Sequence, residues 1–172
     1  MVHTYNELIK EWFNRAEKEK DYFTKFIFIF ISFVAFISQR YGDVERDCEK
    51  KRDFKLEKDA KDYYLMQIKN DPHLNECVKK LVDYLNADPI VNITRMSDSW
   101  NGKLINIYDW PNLVEYWFRV RNNLFHGHKS PELEKDQILV KFAFETLYPL
   151  MKNFIEKQLF WDFSNYTHTQ RS

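Results

Sequence analysis

Glycine and proline are scarce, with three of one and five of the other in 172 residues. A sheet protein built on tight turns needs more of both, and here they are set against many Lys, Glu, Leu and Phe. That balance points to long helices, and the fold class expected is all-α. Cysteine is scarcer still. Cys48 and Cys77 stand alone, without a CxxC pair or further partners, so neither a zinc site nor a disulfide framework is signalled. Two free thiols in a reducing cytoplasm are expected. Charge of one sign is also missing, because 26 basic residues face 26 acidic ones. A global basic field of the kind that coats nucleic acid is thereby excluded, and any RNA or DNA contact must be local. The start Met-Val-His-Thr-Tyr-Asn-Glu lacks a basic region followed by an apolar run and a small-residue cleavage site, so a cytoplasmic chain is expected. No glycine-rich phosphate loop, nucleophile elbow or metal-ligand pattern occurs, which leaves hydrolases and nucleotide enzymes of those types without support. No metal and no cofactor are expected.

What is present suffices for one domain over 1–172, with 44% hydrophobic and 17% aromatic residues. From about Tyr5 to Gln39 there is neither glycine nor proline, which reads as one long helix or two nearly collinear ones. Its second half holds the nearly continuous apolar run from Phe26 to Ile37. Twelve residues at about 1.5 Å each span about 18 Å, against a hydrocarbon core of roughly 30 Å. That is too short to cross a membrane, so the expectation is a helix buried on all sides in the bundle or at a subunit interface. Between Arg40 and Lys61 fifteen of twenty-two residues are charged with interleaved signs, a solvated surface segment by its composition. Leu74, Cys77, Val78, Leu81, Val82 and Leu85 mark a helix after Asp71-Pro72. A connection of some twenty residues follows, for which Trp100, Tyr108 and Trp110 offer packing. A final helix is expected from about Glu132 to Phe160, kinked near Pro149, and then a polar tail over 161–172.

The stretch with chemistry in it is Arg121-Asn122-Asn123-Leu124-Phe125-His126-Gly127-His128-Lys129. Leu113, Val114, Trp117, Phe118, Val120, Leu124 and Phe125 give the residues leading into it a wide apolar face, with Pro111 suited to a first helical turn. Gly127 can take a left-handed conformation and end the helix, leaving His126 beside exposed carbonyls that favour a cation. Asn122 and His126 are four apart and share a face, while Arg121 lies about 100° round but can swing its fork towards Asn122. Arginine binds phosphate oxygens, histidine moves protons near neutral pH, and asparagine can orient either. Singly, each has an ordinary explanation as helix-end cation, cap or surface filler; together, beside the glycine, they read as a site. His128 and Lys129 are possible RNA contacts.

This string resembles the motif of the HEPN domains, the helical domains of prokaryotic ribonuclease toxins and anti-phage effectors: arginine, a polar residue, three variable positions and histidine. The aromatic first helix, the aromatics ahead of the motif helix and the amphipathic helix after the glycine are similar in layout too. The resemblance implies a bundle of four to five helices forming a homodimer, with motif residues of both subunits facing each other across a two-fold axis. From Tyr116 to Pro131 there is no acidic residue, whereas Arg119, Arg121 and Lys129 are basic and His126 and His128 can become so. Doubling such a patch gives a groove positive enough for RNA without changing the net charge. The chemistry implied is metal-independent RNA cleavage leaving a 2′,3′-cyclic phosphate, with Arg121, Asn122 and His126 catalytic and Arg119, His128 and Lys129 contacting RNA. Either one histidine serves as base and acid, or two from different subunits divide the roles. In HEPN toxins neutralised by a nucleotidyltransferase antitoxin, a tyrosine stands one residue beyond the histidine's neighbour. Here that position is His128, which favours a free-standing effector or a toxin with a different antitoxin protein. The alternative expectation is a non-catalytic dimer that uses the motif to bind RNA, nucleotide or a protein partner.

Overall fold

The computed structural model describes residues 4–41, 51, 54–90, 100–125 and 133–156. The described residues are mostly helical and contain no strand. Six helices carry the fold: α1 (Tyr5–Lys18), α2 (Tyr22–Tyr41), α3 (Lys58–Asn70), α4 (Pro72–Ala87), α5 (Trp110–Phe125) and α6 (Glu134–Glu156).

The first two helices are not collinear. Thr4 opens α1 with a reciprocal cap, its hydroxyl accepting from the Glu7 N–H while Glu7 accepts from the Thr4 N–H. At Glu19 the backbone turns extended, and Asp21 starts the next helix by accepting from the Thr24 N–H at 2.9 Å. The chain then doubles back. Gln39 bonds to Asn6, the Ser32 hydroxyl donates to the Ile9 carbonyl at 2.7 Å, and the Trp12 and Phe28 rings lie 5.4 Å apart. This antiparallel pairing buries Ile9, Phe13 and Ala16 of α1 against α2.

Around α2 the core assembles as interlocked aromatic rings. Phe33, fully buried, meets Phe54 at 5.2 Å, Trp117 at 5.7 Å and Phe30 at 5.8 Å, mostly edge to face. Phe36 stacks on Phe154 of α6 at 4.6 Å. Yet α2 is not buried on all sides: Ile27, Ile31 and Val34, spaced four and three apart, are only half-buried. Nor is α2 too short to span a hydrocarbon core, because the apolar helix extends well past the twelve-residue run. Tyr22–Gln39 is long and apolar enough to cross a membrane by length and composition, and under half of it is buried within the protein.

Asp71 joins α3 to α4: its N–H closes the first helix on Gln67, and its carboxylate caps the second at the N–H groups of His73 and Leu74. Pro72 follows in the first turn, where no N–H is needed. Helix α6 runs through Pro149 without a break. It is fixed to α5 by two buried bonds, Tyr116 Oη to the Leu139 carbonyl at 2.5 Å and Trp117 Nε1 to Thr146 Oγ1 at 2.8 Å.

The charged segment departs from its solvated reading where it is described. Phe54 is fully buried against Phe33, Phe36 and Trp110, so one aromatic anchors this charged stretch in the core. Of the long connection, Ile90 and Gly102 are tied by a backbone bond of 3.2 Å. Gly102 has φ +78°, and a Cβ there would sit 2.2 Å from the Ile90 carbonyl oxygen, so only glycine fits. Trp100 donates to the Lys103 carbonyl at 2.8 Å, and Tyr64 Oη to that of Ile107 at 2.5 Å. Trp110 is fully buried, whereas Tyr108 is exposed and contributes little packing.

Candidate functional site

Helix α5 starts at a turn organised by Asp109, whose carboxylate accepts from the Ile105 N–H and from Asn112 Nδ2, both at 2.8 Å. From Leu113 to Val120 every residue is buried. Pro111 and Asn112 in the first turn are half-buried, and the helix surfaces again in its last turn at Arg121, Asn122, Leu124 and Phe125, so the motif begins where the buried stretch of the helix ends.

Arg121 swings back to its neighbour, with Nη1 donating to Asn122 Oδ1 at 2.9 Å. Because the guanidinium can only donate, the amide oxygen must face it, which leaves Asn122 Nδ2 as the donor turned to other partners. Two rings flank the guanidinium carbon, Phe125 at 4.8 Å and Phe30 at 6.0 Å. Such contacts favour the cation and limit its rotamers. Among the described residues no carboxylate pairs with Arg121. A half-buried, pre-oriented guanidinium without an anionic partner is suited to receive one from outside. His126, His128 and Lys129 lie outside the described residues.

Arg119 is placed differently from its expected role as an RNA contact. Its side chain is 5% exposed, donates from Nη1 to the Ile90 carbonyl at 3.2 Å and stacks over Trp100 at 4.5 Å. It fastens the long connection to α5 from within. Spacing could not reveal this, since the carbonyl and ring that hold it come from elsewhere in the chain.

A charge cluster not expected from the sequence lies on the same helix. Glu115, 7% exposed, receives Lys51 Nζ on one oxygen at 2.9 Å and Lys55 Nζ on the other at 2.5 Å. Two signals were available: Lys51 and Lys55 are four apart, and Glu115 is the lone acid within the apolar run of α5. Glu115, Arg119 and Asn122, spaced four and three, form one polar stripe along this helix. Beside Glu115 opens a cavity of about 440 Å³, lined also by Lys55, Trp100 and Lys103.

No family model, curated protein or solved structure matches this chain.

Proposed function

We propose that the chain is a metal-independent endoribonuclease of HEPN type, working in a toxin or phage-defence role as a homodimer whose two motif copies form one site. The observation that carries this reading is Arg121: oriented by Asn122, flanked by Phe30 and Phe125, and without a carboxylate partner among the described residues. In the proposed reaction His126 takes the proton of a ribose 2′-hydroxyl as its oxygen attacks the adjacent phosphorus. The bond from phosphorus to the 5′-oxygen breaks, that oxygen is protonated by an acid, and a 2′,3′-cyclic phosphate remains. Arg121 stabilises charge developing on the phosphate oxygens, and Asn122 Nδ2 donates to one of them or to His126. The need for a 2′-hydroxyl makes RNA the substrate. Ile27, Ile31 and Val34 on α2, partly buried with Val34 packed on the core, keep some apolar surface open, which supports association of two copies.

Incubating the chain with total RNA in EDTA, beside His126→Ala and Arg121→Ala, tests the reading. The wild type should cut and both variants should lose at least about 10²-fold in rate. Equal survival of RNA with all three chains at micromolar concentration overturns the enzyme. Loss of cutting on adding chelator overturns the metal-free mechanism, and a monomer in solution overturns the composite site.

A further inference from the structure

We infer that the cavity beside Glu115 is a binding site for a phosphomonoester group, separate from the Arg121 motif. Lys51 and Lys55 are each about a quarter exposed and both converge on the single carboxylate of Glu115, so among the described residues this partly desolvated cluster carries two ammoniums for one carboxylate. Lys103, half-buried and without an ion pair among the described residues, lines the same cavity and adds another. Of the other described charges, Asp109 is hydrogen-bonded by Asn112 Nδ2 and the Ile105 N–H, and Arg119 donates to the Ile90 carbonyl and stacks over Trp100. Partly buried charge without a counter-charge is costly, and a dianion in the cavity removes that cost.

The lining fits this ligand class. Lysine ammoniums serve as compact point charges for phosphate. Asn101 accepts with Oδ1 from the Lys103 N–H, which turns its Nδ2 into a donor for a ligand, and Asn86 also lines the space. At about 440 Å³ the cavity falls within the range of small-ligand pockets and exceeds what a lone ion fills, so the phosphate is expected to carry an organic group. Glu115 lies six residues before Arg121, about 9 Å along α5, with buried Arg119 between them. The phosphomonoester could belong to a small sugar phosphate or to the 5′ end of an RNA chain, and its recognition is the same in both.

The test is titration calorimetry on the full chain at constant ionic strength, with ribose 5-phosphate and ribose and, in the His126→Ala background so that no RNA is cut, RNA oligomers of one sequence bearing a 5′-phosphate or a 5′-hydroxyl. Ribose 5-phosphate or 5′-phosphorylated RNA should bind saturably and ribose should not. Lys103→Ala should weaken binding about tenfold and Lys103→Glu should abolish it, with melting temperatures unchanged because Lys103 holds no structural ion pair. Preference for the 5′-phosphorylated oligomer assigns the phosphate to RNA ends. Binding of ribose 5-phosphate without that preference assigns it to a small metabolite, and either result sustains the site. Failure of both phosphorylated probes to bind, or binding indifferent to Lys103→Glu, overturns it. His126→Ala should bind as the wild type does, so this result is read independently of RNA cleavage.

Discussion

Glu57, the residue before α3, is held in a place that disfavours its charge. Burial, and secondarily the charge of Asp59, push its carboxyl from the ordinary 4.5 up to about 8. The folded state therefore binds a proton more tightly than the unfolded chain. By linkage, stability must fall as pH rises from about 4.5 to about 8, and the loss is complete above that window. At about 1.4 kcal/mol per pH unit the displacement corresponds to about 5 kcal/mol if fully realised. Although both carboxylate oxygens are buried, the residue as a whole keeps some contact with solvent, and relaxation and water entry on ionisation reduce this to about 2 kcal/mol. Glu57→Gln keeps the shape of the protonated side chain and cannot ionise. Near pH 5 the two chains should match within about 0.5 kcal/mol. At pH 9 the glutamine chain should be about 2 kcal/mol more stable, a rise in melting temperature of roughly 4–8 °C for a domain of this size. Thermal unfolding followed by far-ultraviolet circular dichroism from pH 5 to pH 9 measures both. Parallel pH profiles for the two chains, or a glutamine chain less stable at pH 9, would show that Glu57 is not held against its charge.

Two further substitutions probe how the segments flanking the site are held. Phe54→Ala empties a fully buried position between Phe33, Phe36 and Trp110 and should cost about 3–5 kcal/mol in denaturant unfolding. A loss under about 1 kcal/mol would mean that the charged segment is not anchored there. Gly102→Ala forces a methyl group against the Ile90 carbonyl at a φ that side chains resist, and should cost about 1–3 kcal/mol. Because Trp100, Lys103 and Leu104 flank that glycine, the same variant should bind ribose 5-phosphate more weakly by calorimetry, and unaltered affinity would contradict the cavity's dependence on this turn.

Helices α4, α5 and α6 were legible because their apolar residues recur at three and four, a signal that depends only on neighbours along the chain. The turn between α1 and α2 escaped that reading. It contains neither glycine nor proline and rests on one capping aspartate, Asp21, amid other charged residues. At the candidate site the Arg121–Asn122 bond was legible, being a contact between adjacent residues of one helix. The burial of Arg119, two residues earlier, was not.

Composition and periodicity alone thus determined that this chain is helical, where its polar motif falls, and that Arg121 can reach Asn122, since each depends on covalent spacing and local backbone geometry. Tertiary structure decided which arginine is spent inside the protein, which phenylalanine pins a charged segment, and which two lysines share one carboxylate. Those outcomes turn on groups up to 64 residues apart brought into the same partly dry space, where burial, not sequence position, sets what a charge costs and what it must find as a partner.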